Sequence, residues 1–227
     1  MFRDCGGLVK KPVPLNQAVA MVPEGAVVMI GGFMGVGSPV RLIDEMVRQR
    51  RGKLTLISND SARPGVGVGR LIDAGLVKRL IASHIGTNAT TQQLMLEGRL
   101  EVELVPQGTL AERIRAGGFG LGGILTPTGV GTLVAEGKRT LEVDGSNYLL
   151  ETALKADFSF ICARKADYYG NLEYSLTARN FNPLMAMAAT TTIAEAESIV
   201  PVGMISPDAV ITPGVLVHVL VGKERAA

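Results

Sequence analysis

The clearest indication of the fold of this chain is the segment Ala26-Val-Val-Met-Ile-Gly-Gly-Phe-Met-Gly-Val-Gly-Ser-Pro39. Its first five residues are all apolar, which is typical of a strand buried on both faces of a parallel sheet. The glycines that follow favour a tight turn, because glycine adopts backbone angles that are closed to other residues. Ser38 is a predicted N-cap and Pro39 a predicted first residue for a helix over 40–50. The stretch therefore predicts a strand, a glycine-rich loop and a helix.

The same alternation of strand and helix continues along the chain. Apolar segments rich in branched residues predict strands at 54–58, 77–83 and 100–105, and helical spacing predicts helices at 88–97 and 110–116. Strands that alternate with helices favour parallel pairing, because the helix carries the chain back across the sheet. The sequence therefore predicts an α/β fold with a mostly parallel sheet flanked by helices.

The second half of the chain has a different pattern. The glycine-rich segment 117–132 is predicted to be a long loop, and a loop of that length inside a compact domain is usually functional. A hairpin is predicted next, with strands at 140–143 and 147–150 that turn at Asp144-Gly145. The remaining predicted elements are a strand at 158–163, a turn at 169–171, a helix at 183–189 and strands at 191–194 and 215–221. No linker interrupts this pattern, which predicts a single domain over 1–227.

Composition and charge exclude several classes of protein. The 23 Lys and Arg residues nearly balance the 21 Asp and Glu residues, and no basic run is present, which argues against nucleic-acid binding. No signal-like segment and no apolar run of about eighteen residues is found, so we expect a cytoplasmic protein that does not enter a membrane. Cys5, Cys162, His84 and His218 are far apart in the sequence, so we expect reduced thiols and no metal.

Polar side chains follow two of the predicted strands. Asn59-Asp60 comes directly after the strand at 54–58, and Gln107 follows the strand at 100–105. Open parallel sheets bind ligands outside the carboxyl ends of their strands, and a glutamine amide can donate a hydrogen bond to a developing oxyanion. The alternatives are an Asx turn at Asn59-Asp60 and an ordinary loop residue at Gln107. The residues alone leave both interpretations open.

Two glycine-rich segments are candidates for binding a phosphate or a carboxylate. The segment 31–37 leaves a predicted strand and enters a helix, whose first backbone N–H groups would be free to receive an anion. The alternative is that its glycines only permit a tight turn. The segment 118–123 matches the spacing G-x-G-x-x-G but follows a predicted helix, so NAD binding is not expected. His84 and His218 lack the serine or cysteine elbow that would make either of them part of a catalytic triad.

The segment 24–39 resembles the α-subunit signature of the family I 3-oxoacid CoA-transferases, an acidic or amide residue and Gly, then an apolar strand, then G-G-F-x-x-x-G-x-P. One position departs, since Glu24 stands where the signature usually has Asp or Asn. Outside this segment, Asp60 replaces an Asn that is found in some relatives. The resemblance covers nearly the whole chain and continues through Ile57-Ser-Asn-Asp60, Ser83-His-Ile-Gly-Thr-Asn88, Val105-Pro-Gln-Gly-Thr-Leu-Ala-Glu-Arg-Ile-Arg-Ala-Gly-Gly118, Leu125-Thr-Pro-Thr-Gly-Val-Gly-Thr132 and Ala178-Arg-Asn-Phe-Asn-Pro183.

The resemblance implies a CoA-transferase-like fold, related to that of sugar-phosphate isomerases, and a role for several residues. Gln107 would donate to the oxyanion, and Asn59 would help to position the substrate or thioester. The proposed CoA contact is formed by Gly31, Gly32, Phe33, Met34, Gly35, Val36 and Gly37. The family's nucleophilic glutamate lies on a β subunit, so the resemblance implies that this chain is inactive alone and works as two α and two β subunits.

The resemblance also implies a ping-pong reaction that moves CoA between a short-chain acyl-CoA and a carboxylate such as acetate or acetoacetate. CoA and acyl-CoA are then substrates, and no tightly bound cofactor is expected. Two alternatives remain, because a fold alone does not determine a chemistry. An isomerase-like enzyme would bind a sugar phosphate and work without a β subunit. A non-catalytic acyl-CoA-binding sensor would bind its ligand but stay inactive when a β subunit is added.

Overall fold

The computed structural model describes residues 9–222, and within that range the chain forms eleven strands and six α-helices. The strands are β1 (Val27–Ile30), β2 (Leu54–Ile57), β3 (Val77–Ala82), β4 (Glu101–Leu104), β5 (Gly123–Thr126), β6 (Thr140–Val143), β7 (Ser146–Thr152), β8 (Ala156–Asp167), β9 (Leu172–Glu173), β10 (Ala189–Val200) and β11 (Val219–Val221). The helices are α1 (Leu15–Ala20), α2 (Val40–Arg48), α3 (Gly69–Asp73), α4 (Ala89–Leu96), α5 (Gln107–Gly118) and α6 (Asn182–Met187).

The central sheet is mostly parallel, as the sequence predicts. Its strands lie in the order β11-β10-β8-β1-β2-β3-β4, and every neighbouring pair along this path is parallel. Only the short β9 is antiparallel, and it pairs with the end of β8. The carboxyl ends of β1 to β4 therefore lie side by side at one edge of the sheet.

Apolar side chains cover both faces of this sheet. Along β1, Val28 and Ile30 belong to one core cluster, whereas Met29 between them belongs to the other. Such alternation follows from the two-residue repeat of a strand, and it explains why the whole of β1 is apolar. Helices α1 to α3 pack on the first face, and α5 and α6 pack on the second face through Leu110 and Met185.

A smaller antiparallel sheet, in the order β5-β7-β6, is joined to α5 and β4 by a partly buried group of charged side chains. Arg113 of α5 donates to Glu103 of β4 at 2.9 Å and to the carbonyl oxygen of Thr152 in β7 at 2.8 Å. At the small sheet itself, Lys138 pairs with the buried carboxylate of Glu151 at 2.5 Å. The bonds of Arg113 fix the small sheet beside α5, because a buried charge must keep its partner.

Most of the predicted strands are confirmed, including the hairpin that turns at Asp144-Gly145. The predicted turn at 169–171 is present, with the Gly170 N–H donating to the Asp167 carbonyl at 2.8 Å. Strands β8 and β10 each run for 12 residues, longer than the predicted 158–163 and 191–194, because they pair with each other along almost their whole length. The prediction of a single domain stays a prediction.

Several predicted elements differ from the structure. The loop predicted at 117–132 is wrong in part, since α5 runs to Gly118 and Gly123–Thr126 is strand β5, which pairs with β7. Pairing with a distant strand outweighs the low strand propensity of the glycines. The strand predicted at 215–221 is reduced to β11, after a 3-10 turn at Gly214–Leu216. Helices α1 and α3 and strand β9 were not predicted.

The predicted start of α2 is also corrected. Pro39 occupies the N-cap position instead of the first helical position. The N-cap residue itself provides no side-chain hydrogen bond to the helix. Ser38 is buried but is not the cap. The helix ends at Arg48, two residues before the predicted boundary, and the helix predicted at 183–189 ends at Met187, because Ala189 already belongs to β10.

Candidate functional site

The residues that follow β2, β3 and β4 meet at the carboxyl edge of the central sheet. The Gln107 side chain donates a hydrogen bond from Nε2 to Oδ1 of Asn59 at 2.8 Å. Ser83 Oγ donates to the same Asn59 Oδ1 at 3.2 Å and to the Asn59 carbonyl at 2.7 Å. Asn59 is buried, whereas Gln107 is exposed. The two amides named from the sequence are therefore in direct contact, although they are 48 residues apart.

The position of Gln107 depends on helix α5. The sequence predicts a helix from 110, but α5 begins at Gln107 itself, directly after Pro106. The first turn of a helix has fixed backbone angles, so Gln107 is not a mobile loop residue. One hydrogen of its Nε2 is used by Asn59, and the other is available to a bound group. The arrangement thus leaves one amide N–H of Gln107 available at the sheet edge, which suits stabilisation of an oxyanion.

The glycine-rich segment 31–37 forms a tight loop after β1. Phe33 N–H donates to the Val36 carbonyl at 3.0 Å, and Val36 N–H donates back to Phe33 at 2.9 Å. The φ angle of Met34, +51°, is unusual for a residue with a side chain, and such strained residues cluster at functional sites. Phe33 and Val36 are 44% and 51% exposed, so the loop presents apolar side chains to the solvent.

This loop forms one wall of a cleft of about 500 Å³. Its lining residues are Phe33, Met34, Val36, Thr177, Arg179 and Asn180. The surface of the cleft is almost entirely apolar. A cleft of this size and character suits the apolar part of a small ligand.

The beginning of helix α2 does not offer the free anion site predicted from the sequence. The buried Glu195 of β10 places one carboxylate oxygen 3.0 Å from the Leu42 N–H, and its other oxygen accepts from Arg41 Nε at 3.0 Å. A carboxylate from the protein itself therefore occupies the helix N-terminus, where the helix dipole favours negative charge. The prediction of free N–H groups here is wrong, and any ligand of the glycine loop must bind on its exposed side.

Asn182, to which the sequence assigns no role, holds the glycine loop from its buried side. Its Oδ1 accepts from the Cys162 N–H at 3.0 Å, and its Nδ2 donates to the Gly37 carbonyl at 3.0 Å and to that of Ala178 at 2.9 Å. The side chain is fully buried, and it lies so close to Gly31 that a β-carbon there would meet Oδ1 at 1.9 Å. The only sequence signal for it is the Asn-Phe-Asn-Pro stretch within the family resemblance.

We expect Asn182→Ala to lower the free energy of unfolding by about 2 kcal/mol, because buried backbone groups lose their hydrogen-bond partners. Urea unfolding monitored by circular dichroism measures this change. Asn147→Ala is the matched control, since Asn147 is exposed on β7, and it should change stability by less than about 0.5 kcal/mol. Equal effects of the two substitutions would show that Asn182 does not fix the loop.

Cys162 lies beside Asn182 and is a free thiol. Burial, followed by the negative charges of Glu195 and Glu197, raises the pKa of Cys162 to about 12 from 9. Since only the thiolate reacts, the raised pKa lowers the reactive fraction of Cys162 at neutral pH. We therefore expect iodoacetamide to leave Cys162 unmodified at pH 7.5 in the folded protein, as measured by peptide mass mapping. Modification at the same rate with and without urea would contradict this. Cys5 lies outside the described residues.

Neither histidine of the chain takes part in a catalytic triad within residues 9–222. His218 Nδ1 accepts from the Thr192 N–H at 3.0 Å, which is a structural bond between β10 and the residue before β11. His84 is exposed, and its backbone carbonyl accepts from the Ser61 N–H at 3.1 Å. In the same range, no three His, Cys, Asp or Glu side chains are grouped so that they could hold a metal ion. No helix among these residues has the length and apolar character needed to cross a membrane.

Comparison with known proteins places this architecture in one family. Residues 14–223 match the family model described as Coenzyme A transferase. The chain is 50% identical over 215 residues to the acetate CoA-transferase subunit alpha of Escherichia coli K12, covering 94% of this chain and 98% of that protein. It is also 50% identical over 203 residues to the acetoacetyl-CoA:acetate/butyrate CoA transferase alpha subunit of Clostridium acetobutylicum, covering 89% and 93% of the two chains.

A solved structure shows the same fold at lower sequence identity. An acyl-CoA transferase from Escherichia coli O157:H7, determined as a thioester complex with CoA, superposes with a TM-score of 0.85 at 22% identity. The match covers 95% of this chain and 48% of that one, so the present chain spans about half the length of that transferase. The predicted resemblance to CoA-transferases is confirmed, and the sensor and isomerase alternatives are not favoured. By its fold, its sequence and the family model, this chain belongs to the coenzyme A transferase family.

Proposed function

We propose that this chain, as an α subunit, works with a separate β subunit to move CoA between a short-chain acyl-CoA and a carboxylate such as acetate or acetoacetate. The observation that carries the proposal is the 2.8 Å contact between Gln107 Nε2 and Asn59 Oδ1 at the carboxyl edge of the sheet. Relatives that share 50% of their residues with this chain are named as α subunits of acetate and acetoacetyl-CoA transferases. Their substrates are the reason for choosing acetate and acetoacetate.

In the proposed reaction, a β-subunit glutamate attacks the thioester carbonyl of the acyl-CoA. The carbonyl oxygen gains negative charge, and the free N–H of Gln107 donates to it. The C–S bond breaks, which leaves an acyl-glutamyl anhydride and the CoA thiolate. The thiolate then attacks the glutamyl carbonyl, releasing the first carboxylate and forming a glutamyl-CoA thioester. An incoming carboxylate then attacks the glutamyl-CoA thioester, the same steps run in reverse, and the carboxylate leaves as the new acyl-CoA. Covalent catalysis thus divides one difficult exchange into easier ones.

The cleft beside the glycine loop supports the need for a second subunit. Among the described residues that line it, none is a glutamate or an aspartate, so its walls supply no nucleophile of the proposed kind. The carboxylates of Glu103 and Glu195 are held by arginines. We propose that the segment 31–37 contacts CoA with its exposed side and that the Asn59 amide positions the reacting groups. The proposed assembly has two α and two β subunits, has no tightly bound cofactor and is cytoplasmic.

The experiment that tests the proposal follows the loss of acetoacetyl-CoA in the presence of acetate. Three preparations are compared: this chain alone, a co-expressed candidate β subunit alone, and the purified pair. We expect acetyl-CoA to form only with the pair. Full activity from this chain alone would contradict the two-subunit proposal. Binding of acyl-CoA by the pair, with no transfer for acetate, acetoacetate or butyrate, would favour the sensor.

A further inference from the structure

The buried Asp60, which follows Asn59, connects the two amides of the proposed site to the glycine loop. Its Oδ2 accepts from Asn59 Nδ2 at 2.7 Å and from the Met34 N–H at 2.8 Å. Its Oδ1 accepts from the Ala62 N–H at 2.7 Å. Asp60 is 4% exposed, so these groups take the place of water around the carboxylate. One side chain thus contacts the end of β2, the loop after β1 and, through Asn59, the start of α5.

We propose that Asp60 is a positioning residue, which sets the orientation of the Asn59 and Gln107 amides and holds the glycine loop in its strained conformation. The inference rests on the proposed function of Gln107 as the oxyanion donor. An ionised carboxylate can only accept hydrogen bonds, so Asn59 must turn its NH2 group toward Asp60. Asn59 Oδ1 is then the atom that faces Gln107, which must in turn present its own NH2 group.

This orientation matters for the chemistry, because a flipped Gln107 amide would present an oxygen where a donor is needed. Ser83 Oγ supports the same orientation of Asn59, since it donates to Oδ1 at 3.2 Å, but that contact is longer. The Asp60 carboxylate is therefore the main reason that Gln107 turns its NH2 group, and not its oxygen, toward Asn59 and keeps one N–H free. An oxyanion stabilised by a fixed donor needs no reorganisation during the reaction, and this is the source of the rate gain.

Asp60 also holds two residues whose backbone angles are unfavourable. Met34 and Ala62 have φ angles of +51° and +53°, and the N–H of each donates to a different oxygen of Asp60. Conformations of this kind persist only when surrounding contacts fix them. The side chain of Met34 lines the cleft beside the glycine loop, so Asp60 sets the shape of that wall together with the amide orientation.

Asparagine at this position preserves most of the arrangement. If its Oδ1 takes the place of Asp60 Oδ2, the bonds from Asn59 and Met34 remain, but its NH2 group then faces the Ala62 N–H, so that bond is replaced by two opposed donors. Asp60→Asn should therefore reduce kcat by no more than about fivefold, the equivalent of one hydrogen bond. Asp60→Ala removes all three acceptor contacts, and we expect it to reduce kcat by about 100-fold, as misplaced catalytic groups do.

The test measures kcat and KM of the assembled α and β subunits carrying Asp60→Ala, Asp60→Asn, Gln107→Ala and the double change of Asp60→Ala with Gln107→Ala. We expect the kcat of the double variant to be no lower than that of Gln107→Ala, because both substitutions act on kcat through one donor. We expect Asp60→Ala and the double variant to share a raised KM for the acyl-CoA, because both lose the contact that holds the Met34 N–H of the glycine loop. Asp208→Ala replaces an exposed aspartate and is the control, which should leave kcat and KM unchanged. The proposal would be overturned if the kcat losses of Asp60→Ala and Gln107→Ala multiply in the double variant. It would also be overturned if Asp60→Asn is as slow as Asp60→Ala.

A second measurement separates this proposal from the proposed function. With 15N-labelled asparagine and glutamine in the assembly, the side-chain amide resonances of Asn59 and Gln107 are assigned by their loss in alanine variants. We expect Asp60→Ala to shift both resonances and Asp60→Asn to shift the Gln107 resonance little. An unmoved Gln107 resonance in Asp60→Ala would overturn the positioning role. If the wild-type pair transfers no CoA, the proposed function fails, while this result still decides the role of Asp60.

Discussion

Gln107→Ala is expected to reduce kcat for CoA transfer by about 100- to 1000-fold, while the KM for the acyl-CoA changes little. The amide N–H that Asn59 leaves free would stabilise charge that exists only in the transition state, so its loss slows turnover without weakening substrate binding. Steady-state kinetics of the αβ assembly with acetoacetyl-CoA and acetate measures both constants. Gln107→Glu should be at least as slow, because it replaces the donor by a carboxylate beside the developing negative charge.

Gln93→Ala is the matched control for this prediction, since Gln93 is an exposed glutamine on α4 whose side chain, among residues 9–222, hydrogen-bonds to Glu97 alone. It should keep its kcat within about twofold of the wild type, because surface substitutions have small effects. A Gln107→Ala variant with a raised KM and an unchanged kcat would assign Gln107 to binding of the ground state instead of the oxyanion.

Gly31→Ala is expected to lower the free energy of unfolding by about 3–5 kcal/mol. The added β-carbon would lie 1.9 Å from Asn182 Oδ1 and 3.3 Å from Asn182 Cα, so the buried asparagine must leave its position. The cost is the sum of about 2 kcal/mol for the lost hydrogen bonds of Asn182 and about 1–3 kcal/mol for overpacking. Urea unfolding of the variant measures it, and the thermal midpoint should fall in parallel.

Two further variants decide whether the clash with Asn182 is the cause. The double variant Gly31→Ala with Asn182→Ala should lose less than the sum of the two single losses, because the smaller side chain no longer blocks the methyl group. Gly108→Ala, in the first turn of α5, meets no atom within 4 Å and should be neutral or stabilising by up to about 1 kcal/mol. Additive losses in the double variant would mean that Gly31 is required for a different reason.

The carboxyl edge of the sheet is the part of the site that the sequence predicts best. Runs of apolar residues identify β1 to β4, and the rule that ligands bind outside the ends of parallel strands then directs attention to Asn59 and Gln107. The sequence pattern does not predict that Asn59 and Gln107 touch. Their contact depends on the start of α5 at Gln107 and on the register between β2, β3 and β4. The roles of both residues come from the family resemblance.

The interactions behind the glycine loop could not be predicted, because each joins residues that are distant in the sequence. Glu195 caps α2 from 153 residues away, and Asn182 reaches Gly37 across 145 residues. A local pattern of glycine, serine and proline predicts a loop and a helix start, but it contains no information on which distant side chain fills the space. For the same reason the strand β5 was hidden within a glycine-rich segment, since its partner β7 is what makes it a strand.

Covalent catalysis by a β subunit is tested by the mass of each subunit after acetoacetyl-CoA is added to the assembled pair without an acceptor. We expect acetoacetate to be released and the β subunit to gain the mass of CoA less one water, whereas this chain keeps its mass. Addition of acetate should then remove the adduct and yield acetyl-CoA, with Gln107→Ala slowing the appearance of the adduct. An adduct on this chain, or rapid transfer with no adduct on either subunit, would contradict a covalent mechanism on the β subunit.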